Sequence, residues 1–128
     1  KEYDIVIKDP NLVIEEYVSG LQLPVMIDFI GDDMLVIEKA EGTVRIIKDG
    51  ILIPEPLIQL EVSSTAEEGL IGILVDNDDI YLHYTTKNSD DGTTSNWFTK
   101  YFFDGEKLIE QQEMLSFHNN KSAQHNSE

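Results

Sequence analysis

The sequence predicts an all-β chain holding about two four-stranded antiparallel blades of a β-propeller, and three observations carry that expectation. The segment DFIGDDMLVIEK, from Asp28, is echoed by ILVDNDDIYLHYT, from Ile73. In each, an apolar run feeds a tight acidic turn and a second strand-like run follows, with Asp33 and Asp79 in equivalent places 46 residues apart. That spacing is the size of one four-stranded blade. The rest of the chain is short runs of Ile, Leu and Val between Gly, Asp, Asn and Pro, the punctuation of strands and tight turns. A single blade leaves both apolar faces uncovered and is stable only when stacked on neighbours, so a chain of about two blades is expected to belong to something larger.

The elements follow in order. Residues 1–24 read as entry strands: Tyr3 to Ile7 and Leu12 to Val18 are apolar and β-branched and are separated by the breaker Asp9-Pro10-Asn11. The first blade, residues 25–61, has expected strands Val25 to Ile30, Met34 to Lys39, Thr43 to Lys48 and Leu57 to Glu61. Its turns at Gly31-Asp32-Asp33, Glu41-Gly42 and Asp49-Gly50 carry residues that tolerate positive φ or bond their own backbone, as closely paired antiparallel strands require. Pro54-Glu55-Pro56 suits the entry to an outer edge strand, where a missing backbone donor does no harm. The second blade, residues 69–115, has expected strands Leu70 to Val75, Ile80 to Thr86, Trp97 to Phe103 and Lys107 to Leu115, with a polar loop from Lys87 to Asn96. The stretch EKLIEQQEML could also serve a helix, but it follows the Asp104-Gly105 turn and is read as a strand. Residues 116–128 form a polar tail leading to the next blade.

Composition bounds the function. The chain of 128 residues is 41% hydrophobic, enough for one small domain, and carries 25 acidic against 9 basic side chains for a formal net charge of −16. Such a surface repels phosphate backbones and anionic lipid, which argues against nucleic acid as a partner and against membrane-surface binding. No run approaches the ~20 apolar residues of a membrane span, so membrane insertion is not expected. Without cysteine there is no disulfide framework and no thiolate metal site. The chain starts at Lys1 with no signal-peptide pattern, as a mature start after leader removal or an internal boundary would.

The residues that could carry chemistry are few. Asp76 to Asp79 and Asn88 to Asp91 offer hard oxygen ligands of the kind calcium prefers, but neither fits the spacing of a calcium loop. His83 lies mid-strand and is expected to be structural. His118 and His125 are too loosely related in sequence to define a metal site, so no metal ligand is assigned. Ser63, Ser64 and Thr65 have no nearby histidine to activate them. The aromatic run Trp97, Tyr101, Phe102 and Phe103 is expected to pack between blades.

Two longer segments carry a family resemblance. GLQLPVMIDFIGDDMLVIEKAEGTVRIIKDG, from Gly20 to Gly50, followed by AEEGLIGILVDNDDIYLHYTTK, from Ala66 to Lys87, resembles the opening of the glucose/sorbosone dehydrogenase family, the soluble quinoprotein aldose sugar dehydrogenases. The order of pieces is what is specific: a Gly-Leu-x-x-Pro entry, a Thr-Val-Arg-Ile third strand, then Glu-Gly-Leu-Ile-Gly-Ile.

The resemblance implies a six-bladed propeller that binds pyrroloquinoline quinone (PQQ) with calcium, most of whose ligands would lie in later blades. It implies an aldose and an electron acceptor as partners, an extracytoplasmic location, periplasmic or secreted, and either the remainder of the propeller or self-association to complete the ring. The family's catalytic base is a histidine in a His-Asn or His-Gln segment just after the second blade, which here is His125; imidazole suits the role because it accepts and releases protons near neutrality. By the same carry-over Glu67, two positions before Gly69, faces the cofactor where members often place Gln, and Gln124 precedes the base. A carboxylate at Glu67 is awkward beside an anionic quinone unless a cation compensates. The resemblance thus implies the amino-terminal portion of an enzyme that oxidises an aldose at C1 with hydride transfer to PQQ, the 128-residue chain alone being inactive. The alternative is a non-catalytic propeller module for binding or scaffolding that kept the fold and lost the cofactor site.

Overall fold

The computed structural model describes residues 4–88 and 92–119. Among them there is no helix, and so none long and apolar enough to cross a membrane. Among the described residues nine strands form two antiparallel sheets packed face to face.

Sheet A contains β1 (Pro24–Ile30), β2 (Asp33–Glu38), β3 (Thr43–Lys48), β4 (Ile51–Leu52) and β5 (Ile58–Gln59). β4 and β5 both pair with β3, so together they occupy one outer-strand position. Pro54 and Pro56 split it, since neither can donate to the ladder. The expected strand Leu57 to Glu61 is therefore only the second half of a broken outer strand. Arg45 Nη2 donates to the carbonyls of Ile53 (3.2 Å) and Pro54 (3.4 Å) and satisfies the backbone freed by the break. At the β3–β4 turn both Asp49 (φ 51°) and Gly50 (φ 76°) are left-handed, as a two-residue hairpin loop requires.

Sheet B contains β6 (Leu70–Asp76), β7 (Asp79–Lys87), β8 (Thr94–Phe103) and β9 (Leu108–Asn119), in that spatial order. The segment after the Asp104-Gly105 turn is thus a strand, and it runs through Asn119 into what reads from sequence as a polar tail. The hairpin arms of β7 and β8 also extend further into the polar loop than expected.

The sequence near-repeat is a repeat of backbone geometry. β1 pairs β2 from Pro24↔Glu38 to Ile30↔Asp33, and β6 pairs β7 from Leu70↔Tyr84 to Asp76↔Asp79. Each inner strand carries a register shift at the same point, Pro24/Met26 and Leu70/Gly72. Asp33 and Asp79 each open the second strand of their blade.

Between the sheets lies one core: Leu35, Ile37, Val44, Ile46 and Leu57 from sheet A against Leu70, Ile73, Ile80, Leu82, Tyr84, Tyr101 and Leu108 from sheet B, with Trp97 and Phe103 packed against it. The aromatic run therefore does pack between the blades, apart from the more exposed Phe102. β2 is buried on both faces, its other face presenting Val36 and Glu38. That run of buried residues marks an interior strand of a stacked sheet.

The entry region departs from expectation. Among residues 4–23 there is no strand; Asp9-Pro10-Asn11-Leu12 makes a turn, Leu12 N donating to Asp9 O at 3.2 Å and Asn11 N to Asp9 Oδ1 at 2.9 Å. Both flanking apolar triplets have the composition of strands but no edge to pair with, and an isolated extended segment has no ladder to hold it.

Candidate functional site: the loop before the second blade

The loop 62–69 crosses from the outer strand of sheet A to the inner strand of sheet B, and its exposed tip carries Glu67. Both its ends are pinned to one residue of β7: Ser63 N donates to Thr85 O (2.9 Å) and Thr85 N to Gly69 O (3.0 Å). Inside the loop, Glu68 N donates to Thr65 O (3.0 Å) and Ser63 Oγ to Glu68 Oε1 (3.1 Å). Glu68 is 2% exposed and its Oε2 has no hydrogen-bond partner among the described residues. The adjacent pair Glu67-Glu68 is thus divided by backbone direction into a displayed carboxylate and a buried clip.

Blade 1 supplies the other constraint. Lys39 Nζ donates to Ala66 O at 2.7 Å, and Leu70 N donates to Lys39 O at 3.0 Å. Gly69 has φ 143°, and a Cβ there would stand 2.5 Å from Lys39 O and 2.8 Å from Lys39 Cγ, so only glycine lets the two backbones approach this closely. Lys39 thus also sets a cation beside the loop that carries Glu67.

Topology fixes what shares this rim. The start of β6 lies opposite the end of β7, and the start of β8 opposite the end of β9. The Glu67 loop, the β7–β8 connection and the exit of β9 at Asn119 are therefore at one end of sheet B. At the β8–β9 side of that end, Asn88 Nδ2 donates to Thr93 Oγ1 (3.0 Å) and lies 3.0 Å from His118 Nδ1, while Ser95 Oγ donates to Asn88 Oδ1 (3.0 Å). Ser95 Oγ also lies 3.4 Å from His118 Nδ1, so Asn88, Thr93, Ser95 and His118 together tie the strand ends at this rim.

Gln124 and His125 lie outside the described residues. Among the described ones no group of three His, Asp or Glu side chains could hold a metal ion. The loop thus carries one exposed carboxylate, Glu67, with Lys39 as the nearby cation. His83, expected to be structural, stacks on Phe98 with centroids 4.1 Å apart, and burial lowers its pKa, with the Asn96 side chain working the other way. An apolar cleft of about 370 Å³ lined by Ile46, Leu57 and Phe103 opens near Gly105, at the opposite rim, away from the Glu67 loop. Lys39 and Glu68 are the residues that sequence reading missed, and Ser63, weighed there only as a nucleophile, holds Glu68 instead. Nothing in AEEG distinguishes an inward from an outward glutamate, and Lys39 reaches the loop only because the blades stack.

No curated protein matches the chain. Among solved structures it is similar to an oxidoreductase assigned as a glucose dehydrogenase from Thermus thermophilus, at 25% sequence identity and a TM-score of 0.70. The similarity covers 80% of this chain and 31% of that one, so the chain spans under a third of the relative's length. The two sheets are accordingly two blades of a β-propeller. The family model for glucose/sorbosone dehydrogenase matches residues 21–128, from the residue before the Gln22–Glu38 contact onward, and the chain belongs to that family.

Proposed function

We propose that this chain is the amino-terminal portion of a quinoprotein sugar dehydrogenase that oxidises an aldose at C1. In that reading His125 would take the proton of the C1 hydroxyl, and a bound quinone would supply the two-electron acceptor for the C1 hydride, the sugar becoming a lactone. The family is generally quinoprotein, which makes PQQ with calcium the acceptor proposed here. Glu67 and Gln124 would flank it, and the remaining ligands would come from further blades of a six-bladed ring.

The observation that carries this reading is the shared rim. β9 ends at Asn119 at the end of sheet B that also carries the Glu67 loop, and the sequence continues from there into Gln124-His125. The exit of β9 toward that segment supports the carry-over of His125 to the Glu67 end of the blade. The Lys39 cation and the two-sided pinning of the loop supply the preorganisation that a cofactor-facing residue needs.

An exported location, an aldose and an external electron acceptor as partners, and ring completion by the remaining blades belong to the same proposal. A second reading, a propeller that kept the fold without the chemistry, is favoured by one observation: Glu67, at the position that the resemblance assigns to the cofactor, is a carboxylate. The test is sugar-dependent dye reduction by the full-length protein, with PQQ and calcium added or withheld, over a panel of aldoses. Turnover requiring sugar, PQQ and calcium supports the dehydrogenase. Absence of turnover with every aldose, in protein that folds, supports the second reading.

A further inference from the structure

The apolar cleft at the rim opposite the Glu67 loop is built where the outer strand of sheet A breaks. Ile53 N donates to Ile46 O at 3.0 Å and Leu57 N to Val44 O at 2.8 Å, so residues 54–56 leave the ladder between those two bonds. The turn between β8 and β9 supplies the opposite wall from sheet B. Lys107 Nζ donates to Pro56 O at 3.1 Å and Leu108 N to Leu57 O at 3.2 Å, which fixes the two walls to each other. Between them is a space of about 370 Å³, within the ordinary range of small-molecule pockets. Ile46, Ile53, Leu57 and Phe103 line it, and Gly105 puts no side chain over its mouth. Ile53 and Phe103 accordingly stay only partly buried.

The charged residues at the mouth are Lys48, Glu55, Glu106 and Lys107. Two of them match each other, Lys107 Nζ standing 4.0 Å from Glu55 Oε2. Asp104, on the same turn, spends Oδ1 on the N–H groups of Glu106 and Lys107, each at 2.8 Å. Lys48 and Glu106 are left over, since among the described residues neither side chain forms an ion pair. Strand alternation puts Lys48 after Val44 and Ile46 on the face of β3 turned to sheet B, so its ammonium group ends an apolar stripe. An apolar floor beneath one unmatched cation and one unmatched carboxylate is complementary to a ligand with an apolar body and both charges. The net charge of −16 works against a bare anion at this surface, whereas a zwitterion brings no net charge into that field.

We propose that this cleft binds an apolar α-amino acid, with its side chain against Leu57 and Phe103, its carboxylate on Lys48 and its ammonium group on Glu106. The site lies at the other rim from the candidate cofactor loop and is separate from the sugar chemistry.

The test is isothermal titration of the full-length protein with L-phenylalanine, without sugar, quinone or calcium, so its outcome is independent of the dehydrogenase reading. Saturable binding in the millimolar range is expected for a ligand of this size. Phenethylamine, which lacks the carboxylate, should bind about 10-fold more weakly, and Lys48→Met, which keeps the apolar stem, should weaken L-phenylalanine by as much. Phenylpropionate, which lacks the ammonium group, should bind about threefold more weakly, as should L-phenylalanine to Glu106→Gln, because Glu106 is exposed. No saturation by L-phenylalanine or L-leucine up to about 10 mM would overturn the proposal. Phenylpropionate binding as tightly as L-phenylalanine would overturn the zwitterion, and undiminished binding to Lys48→Met would overturn the site.

Discussion

Asp28 of β1 accepts a hydrogen bond from the backbone N–H of Val75 on β6, with Oδ2 2.8 Å from the nitrogen. An inner strand has one edge paired within its own sheet and one open, so this carboxylate from the neighbouring blade satisfies a donor that the open edge would otherwise leave idle. Lys39 O receives Leu70 N in the middle of the same seam, and Leu57 O receives Leu108 N at its outer side. The seam is thus stitched from inner to outer strand over the shared apolar core.

Removing Asp28 should show what the stitch contributes. Asp28→Ala leaves Val75 N–H partly buried and unpaired, which costs about 2 kcal/mol for a bond to a charged acceptor. Asp28→Asn keeps an acceptor and should lose about half as much. Urea unfolding of both variants checks this, and equal stability of Asp28→Ala and wild type would show that the bond is not formed in solution.

Two glycines with positive φ should respond very differently to alanine. At Gly69 the new methyl would meet the Lys39 backbone, so Gly69→Ala should destabilise by roughly 3 kcal/mol or more and loosen the Glu67 loop. Gly92 has φ 74° but nothing within 4 Å of a Cβ, so Gly92→Ala should cost only about 1 kcal/mol. Thermal unfolding of the pair separates close approach from backbone strain.

Glu38 gives a pH prediction. Burial works to raise its pKa, but hydrogen bonds from Thr43 Oγ1, Gln22 N and Arg45, and the Arg45 charge, together hold the carboxyl below its ordinary value. A depressed folded-state pKa contributes stability that is fully present above the unfolded value, near 4.5, and is lost as pH falls through the folded value. The stability difference between wild type and Glu38→Gln should therefore be largest at neutral pH and shrink below pH 4.5. A difference that is flat from pH 7 to about 3 would contradict this.

Much of the blade architecture was legible because its signals are local. Asp49-Gly50 fixes a two-residue turn by its own chemistry, and the spacing of Asp33 and Asp79 reports the blade period directly. The split of the outer strand was legible only in part: Pro54 and Pro56 announce an edge, but Arg45 bridging the break depends on pairing across β3. The entry strands failed for the complementary reason, since Ile5-Val6-Ile7 reads as a strand and yet pairing needs an edge that the local sequence does not supply. At the candidate site, Glu67 could be named by resemblance alone. The neighbours that hold its loop come from Lys39 on the other blade and from a buried Glu68 that looks identical in sequence.

His125, which follows β9 in the sequence, is proposed as the base of a sugar oxidation. The most direct measurement is kcat for sugar-dependent dye reduction by full-length wild type and His125→Ala, each supplied with PQQ and calcium, alongside quinone binding followed by absorbance. A loss in kcat of about a hundredfold or more with quinone binding retained is the predicted result, since general-base help is typically worth 10²–10⁴ in rate. An unchanged kcat in the variant would contradict the account.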